Sequence, residues 1–298
     1  MTRFARSLTL IVAVFVVCPE IRADVPIQVT VVNPGEMPRS SLRYNLTVGQ
    51  VSTHNFSMEM SMGQSEGGLP MMEPLPESIL TMRTRVTQKK GDSWVVHQEI
   101  VDARLGSGSY EPIVREIMLE ELKKQIGFKC SFRFSNRGHC SEESVITPSR
   151  GMSKQEELEL LKTISNAAVP LPLEPVGKGA SWTSVSLMDT PLGFSIKQSV
   201  TTRLVEVDPN RSFEIRNIVD QEVVESKFTM DALPQGYTAV ITKHSGLGSG
   251  QGKVNTRSAC PDSMEGNVET DTSIRVEGRG ESAVVRVKNS IKIKIGKK

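Results

Sequence analysis

Period-two alternation of apolar and polar side chains recurs in eight separate segments of this chain, and segments so patterned can bury one face only as β-strands. In the first, Phe56, Met58, Met60 and Met62 share one side while Ser57, Glu59 and Ser61 share the other. The pattern returns over residues 79–86, 94–101, 194–207, 213–219, 238–242, 272–276 and 283–295. Turn chemistry stands between them, at Lys90-Gly91-Asp92, Asp208-Pro209-Asn210 and Glu277-Gly278-Arg279-Gly280. The expected fold is mainly β, a meander of antiparallel strands.

Two segments change period. Within residues 111–126, Val114, Met118, Leu122 and Ile126 recur at helical spacing, with Ile113 and Ile117 alongside. Ser153-Lys154-Gln155-Glu156 is a capping box that opens a second helix, continued by Leu158, Leu161 and Ile164 and ended before Pro170. The class is thus α+β with strands dominant: two antiparallel units, residues 24–168 and 169–298, with two helices between them.

An internal echo supports that division. Thr84-Arg85-Val86 precedes Ile100-Val101-Asp102 as Thr202-Arg203-Leu204 precedes Ile218-Val219-Asp220, at an offset of 118 residues. Val48-Gly49-Gln50 and Val176-Gly177-Lys178 each precede a strand, at an offset of 128. We read these as an internal duplication; the plainer reading is that amphipathic hairpins resemble one another by pattern alone. Residues 63–77 and 170–181 are rich in Gly and Pro and read as loops, the second as a linker.

The N-terminus reads as a secretory leader. Arg3 and Arg6 give a positive start, Leu8–Val17 is an apolar run of ten residues, and Ala23 ends a short polar stretch. Ten residues are too few to span a bilayer. Cys18 raises a lipoprotein alternative, which Val17 and Pro19 on either side of it disfavour. Without residues 1–23 the chain carries 33 basic and 33 acidic side chains, a balance that argues against general nucleic-acid binding. The expected location is therefore periplasmic or extracellular, with no transmembrane segment in the mature chain. In such an oxidising compartment, Cys130 and Cys140 on either side of Ser135-Asn136-Arg137-Gly138 are placed to form a disulfide across a hairpin.

No catalytic, cofactor or metal site emerges. Gly63-Gln64-Ser65-Glu66-Gly67 matches a nucleophile elbow, but Pro70, Pro74 and Pro76 follow where that motif needs a helix. Met58, Met60, Met62, Met71 and Met72 are soft donors suited to Cu(I), and in a strand they are more simply an adaptable apolar face. His54, His97, His139 and His244 lie far apart, without metal-ligand spacing. His139 and Cys140, adjacent on a strand, point to opposite faces and make a poor base and nucleophile. Gly246-Leu247-Gly248-Ser249-Gly250-Gln251-Gly252 lacks the following helix of a phosphate loop and reads as a flexible hairpin connection. Lys292 and Lys294 alternate with Ile291, Ile293 and Ile295, as on a last strand with one solvated face.

Val48-Gly49-Gln50 and Pro175-Val176-Gly177-Lys178-Gly179-Ala180-Ser181-Trp182 resemble strand openings in an uncharacterised family of exported bacterial β-rich proteins. The resemblance covers the second half and, more weakly, the first, where Val51–His54 stands in place of an aromatic residue. It implies an envelope or periplasmic protein, shaped like the open half-barrels of lipoprotein carriers. The expectation is a noncatalytic exported protein that binds a hydrophobic ligand or an envelope partner protein. Met58, Met60 and Met62 would line an apolar cleft with Val114, Met118 and Leu122. The alternative is an assembly factor acting by strand pairing, and a hydrolase using Ser65 ranks last.

Overall fold

The computed structural model describes residues 20–21, 27–66, 71–108, 110–140, 145–147, 151–165, 167–190, 194–208, 212–228, 237–278 and 280–298. Apart from Glu20 and Ile21, the expected leader lies outside them, as do Cys18 and Gly67. In chain order the elements are β1 (Glu20–Ile21), β2 (Gln28–Asn33), β3 (Val51–Glu66), β4 (Glu73–Pro74), β5 (Ser78–Lys90) and β6 (Ser93–Leu105). Helix α1 (Pro112–Lys124), β7 (Lys129–Ser135), β8 (Val145–Thr147) and helix α2 (Lys154–Ser165) follow. Then come β9 (Ser181–Asp189), β10 (Ser195–Asp208), β11 (Ser212–Val223), β12 (Lys227–Phe228), β13 (Tyr237–Asn255), β14 (Ser263–Gly278) and β15 (Glu281–Lys297).

All 15 strands belong to one open antiparallel sheet, in the order β1-β9-β10-β11-β13-β14-β15-β3-β5-β6-β7-β8, with β2 also on β9, β4 on β3 and β12 on β13. The halves meet where β15 pairs with β3, from Val285 opposite Glu66 to Lys297 opposite His54. They form one continuous sheet, and that sheet curls. Met82, Trp94, Val96 and Phe132 from β5–β7 share a core with Trp182, Leu204, Phe213 and Ile215 from β9–β11. Between the two ends runs residue Tyr44, whose N–H donates to Asn136 O at 2.8 Å while that of Asn45 donates to Thr256 O at 2.7 Å. Helix α2 adds Leu161 and Ile164 to the same core. Its capping box forms as expected: Glu156 N donates to Ser153 Oγ at 3.3 Å, and Ser153 N donates to the Glu156 carboxylate.

The alternation has an apolar concave side and a polar convex side. On the convex side Lys294 Nζ bonds Glu59 Oε1 at 3.1 Å, and Arg286 pairs with Asp271. This is the reverse of the sign a lipid-facing barrel needs, which is apolar outside and polar within. No helix among the described residues is long and apolar enough to cross a membrane.

Three expectations are corrected. The glycine run at 246–252 is not a hairpin connection but the middle of β13, paired with β11 on one side and β14 on the other. Residues 63–66 continue β3 rather than opening a loop. Residues 170–180 form a loop, as expected, and it is packed: Leu171, Val176 and Ala180 are buried, and Trp182 Nε1 donates to Pro170 O at 2.9 Å. No disulfide joins Cys130 to Cys140. Cys140 bridges to Phe134 while Cys130 lies opposite Ile146, so four residues of strand, roughly 13 Å at the usual rise, separate them. Helix α1 also departs in detail: Leu122 is buried, but Ile113 and Ile117 are 61% and 55% exposed, because only one stripe of it meets the sheet.

Candidate functional site

The concave face of β9, β10, β11, β13, β14 and β15 encloses a cavity of about 470 Å³, covered by the end of α2 and the residues that follow it. Strand register explains why the space exists. Gly246, Gly248, Gly250 and Gly252 all point inward from β13, opposite Gln221, Val219, Asn217 and Ile215 of β11. A Cβ at Gly248 would overlap the main-chain oxygen of Asn267 on β14. The sheet therefore bends across a stretch of β13, between His244 and Val254, that has no inward side chains, and this bare strip, with Gly250 on the lining, becomes the cavity floor.

The walls are mostly apolar. Val200, Val219, Val268 and Ile291 form one row across the sheet, set in register through Gly248. Met188, Phe194, Ile196 and Ile241 pack together at one end. Polar groups interrupt this surface at a few places. Gln221 Nε2 donates to Gln198 Oε1 at 2.9 Å, and His244 Nδ1 lies 2.9 Å from Thr272 Oγ1. Four buried atoms on the wall have no hydrogen-bond partner: Asn217 Oδ1, Gln221 Oε1, Asn289 Oδ1 and His244 Nε2. Burial holds the His244 pKa below the usual histidine range, so its imidazole is neutral at physiological pH.

The residues singled out in the sequence sit differently. Met58, Met60 and Met62 lie opposite Ile293, Ile291 and Asn289 of β15, on the same concave side. The wall reaches β3 only at Phe56, so the methionines stand one strand beyond it. On α1, Met118 and Leu122 pack against Leu80, Ala103 and Leu105 in a small cluster of their own, and Val114 is half-buried. No residue of α1 lines the cavity. Ser65 pairs with Arg286 in the β3–β15 ladder, and the continuation of its motif from Gly67 lies outside the described residues. Burial pushes the Cys140 thiol well above its usual pKa, which further disfavours it as a nucleophile beside His139.

What sequence reading missed is the set of cavity amides. A signal was present: Asn289 stands in the apolar phase Val285, Val287, Ile291, Ile293, Ile295, and Gln221 ends the phase Phe213, Ile215, Val219. A polar residue where alternation calls for an apolar one marks either a strand end or a buried polar site.

No family model matches the chain, and no curated protein does. Among solved structures it is remotely similar to Pseudomonas aeruginosa OccK11 (OpdR), at 6% identity and a TM-score of 0.22, covering 86% of this chain and 100% of that one. A mutant of Rh. blastica porin gives 7% identity and a TM-score of 0.23, with 82% and 100% covered. Pseudomonas aeruginosa OccK9 (OpdG) gives 6% and 0.22, with 84% and 99% covered. At such TM-scores these likenesses carry no argument about this chain.

Proposed function

We propose that this is a noncatalytic exported protein of the cell envelope that carries a small, largely apolar molecule in the cavity between its curled sheet and α2. The observation that carries the reading is the cavity itself: about 470 Å³ of space, walled by branched aliphatic side chains, with glycine in its floor. Pockets for small molecules are commonly of this size and lining. Export is supported by the leader-like N-terminus, and the even balance of charge fits an apolar rather than a polyanionic partner.

Strand pairing with another protein is the weaker reading. Among the described residues the sheet ends in β8, of three residues, and in β1 and β2, of two and six, and short end strands offer little edge to a partner.

Mass spectrometry of the mature protein from its own exported fraction, under native conditions and again after organic extraction, tests the proposal. A stoichiometric added mass that extraction removes is the expected result. A bare polypeptide in both spectra would overturn it.

A further inference from the structure

We propose that the occupant is an uncharged amphiphile whose head group bears hydroxyls, held by a belt of side-chain amides that crosses the middle of the sheet. This rests on the carrier reading and adds the chemistry of what is carried.

The belt is a product of register. Ser186, Gln198, Gln221, Gly246, Thr270 and Asn289 are successive cross-strand partners, so one line of inward polar residues runs over six strands. Gly246 sits within it for a steric reason: a Cβ there would overlap Gln221 Oε1, so the bare glycine lets the amide lie across β13. Gln221 is only 5% exposed, and its bond to Gln198 leaves the carbonyl end as the unused one. Asn289 Oδ1 in the belt and Asn217 Oδ1 two rows away are likewise buried acceptors without a donor. A buried carbonyl left unpaired is costly, and three around one cavity are satisfied together by a molecule that brings donors.

The surroundings limit that molecule further. Apolar side chains lie on both sides of the belt, Val219 and Ile291 on one, Ile196 and Val287 on the other, where His244 and Thr272 bond each other between them, so donors must be joined to hydrocarbon. Among the described residues no charged side chain enters: Glu265, the acid on the wall, alternates outward and accepts from Gln251 Nε2 at 3.3 Å on the exposed side. A carboxylate or ammonium head would be desolvated there without a counter-ion. Hydroxyls give donors without charge, and they accept in turn from Thr270.

Isothermal titration of the extracted, mature protein with three probes of equal chain length tests this: 1-monododecanoylglycerol, dodecanoate and dodecyltrimethylammonium. The glycerol ester should bind at least tenfold more tightly than either ion, and Gln221→Leu with Asn289→Leu should weaken it about tenfold or more while ion binding changes less than twofold. A thermal midpoint no lower than that of the parent shows the double variant folded. Tighter binding of either ion, or an unaffected glycerol ester in the folded variant, would overturn the head-group assignment and leave the carrier reading standing. Failure of all three probes with the parent protein would remove both.

Discussion

Strands β5, β6 and β7 and strands β10, β11 and β13 are laid out on one plan and filled in opposite ways. The strand before each set, β3 or β9, opens from a turn with a positive-φ glycine, Gly49 or Gly179. Gly49 N donates to Val86 O and Val86 N to Gln50 O; Gly179 N donates to Leu204 O and Leu204 N to Ala180 O. Each hairpin then slips register at the same place, between Val86 and Gln88 and between Leu204 and Glu206. Beyond that point Trp94, Val96 and Gln98 correspond to Phe213, Ile215 and Asn217. Opposite them the first set places Phe134, Phe132 and Cys130, the second Val254, Gly252 and Gly250. The first is solid core and the second borders the cavity. Backbone plan decides where the inward positions fall; the side chains placed there decide whether the space is closed.

The largest effect should come from emptying the filled side. Phe132→Ala removes a buried ring and is expected to cost about 3–5 kcal/mol, read from the urea midpoint, with no cavity-sized gain in ligand capacity. Filling the empty side comes next. Gly248→Val forces a side chain against the Asn267 backbone and should cost about 1–3 kcal/mol and abolish the ligand mass; a variant that keeps both stability and ligand would show that β13 is not the floor.

The shared turns give a finer test. Gly49 has φ 88° and Gly179 φ 76°, and a Cβ at either meets nothing within 4 Å. Alanine at each should therefore lose the same amount, about 1–2 kcal/mol of backbone strain alone. Unequal losses would break the correspondence.

The smallest effect concerns pH. Burial is the main cause that lowers the pKa of His54, His139 and His244. Lowered folded-state values mean that the unfolded chain binds protons more readily, so their contribution to stability is present above about 6.5 and is lost as pH falls below it toward the folded values. Urea midpoints should drop between pH 7.5 and 5, and His54→Leu should flatten that slope. A midpoint independent of pH over this range would contradict it.

Strand positions were legible because alternation is local: each of the eight patterned segments lies within or largely over an observed strand, and the capping box needed only four residues. The strand through 246–252 was misread because glycine is a turn residue in most contexts, although its strict period of two is the alternation with one face left blank. The amide belt was illegible for a different reason. It exists only through register across strands distant in sequence, and nothing local aligns Ser186 with Asn289. The turn correspondence, too, pairs Gly49 with Gly179 rather than with Gly177, which only the hydrogen bonds reveal. These matches are of geometry; common descent of the halves is the proposal they support.

The β3–β15 seam has a consequence in time. Glu59 and Lys294 are 235 residues apart in the chain, so the first long strand stays without that neighbour until the last one has been made. Pairings this remote close slowly, because a long loop must be ordered before any bond rewards it. Until then β3 has an unpaired edge, and the sheet cannot close along this seam before synthesis of the last strand is finished.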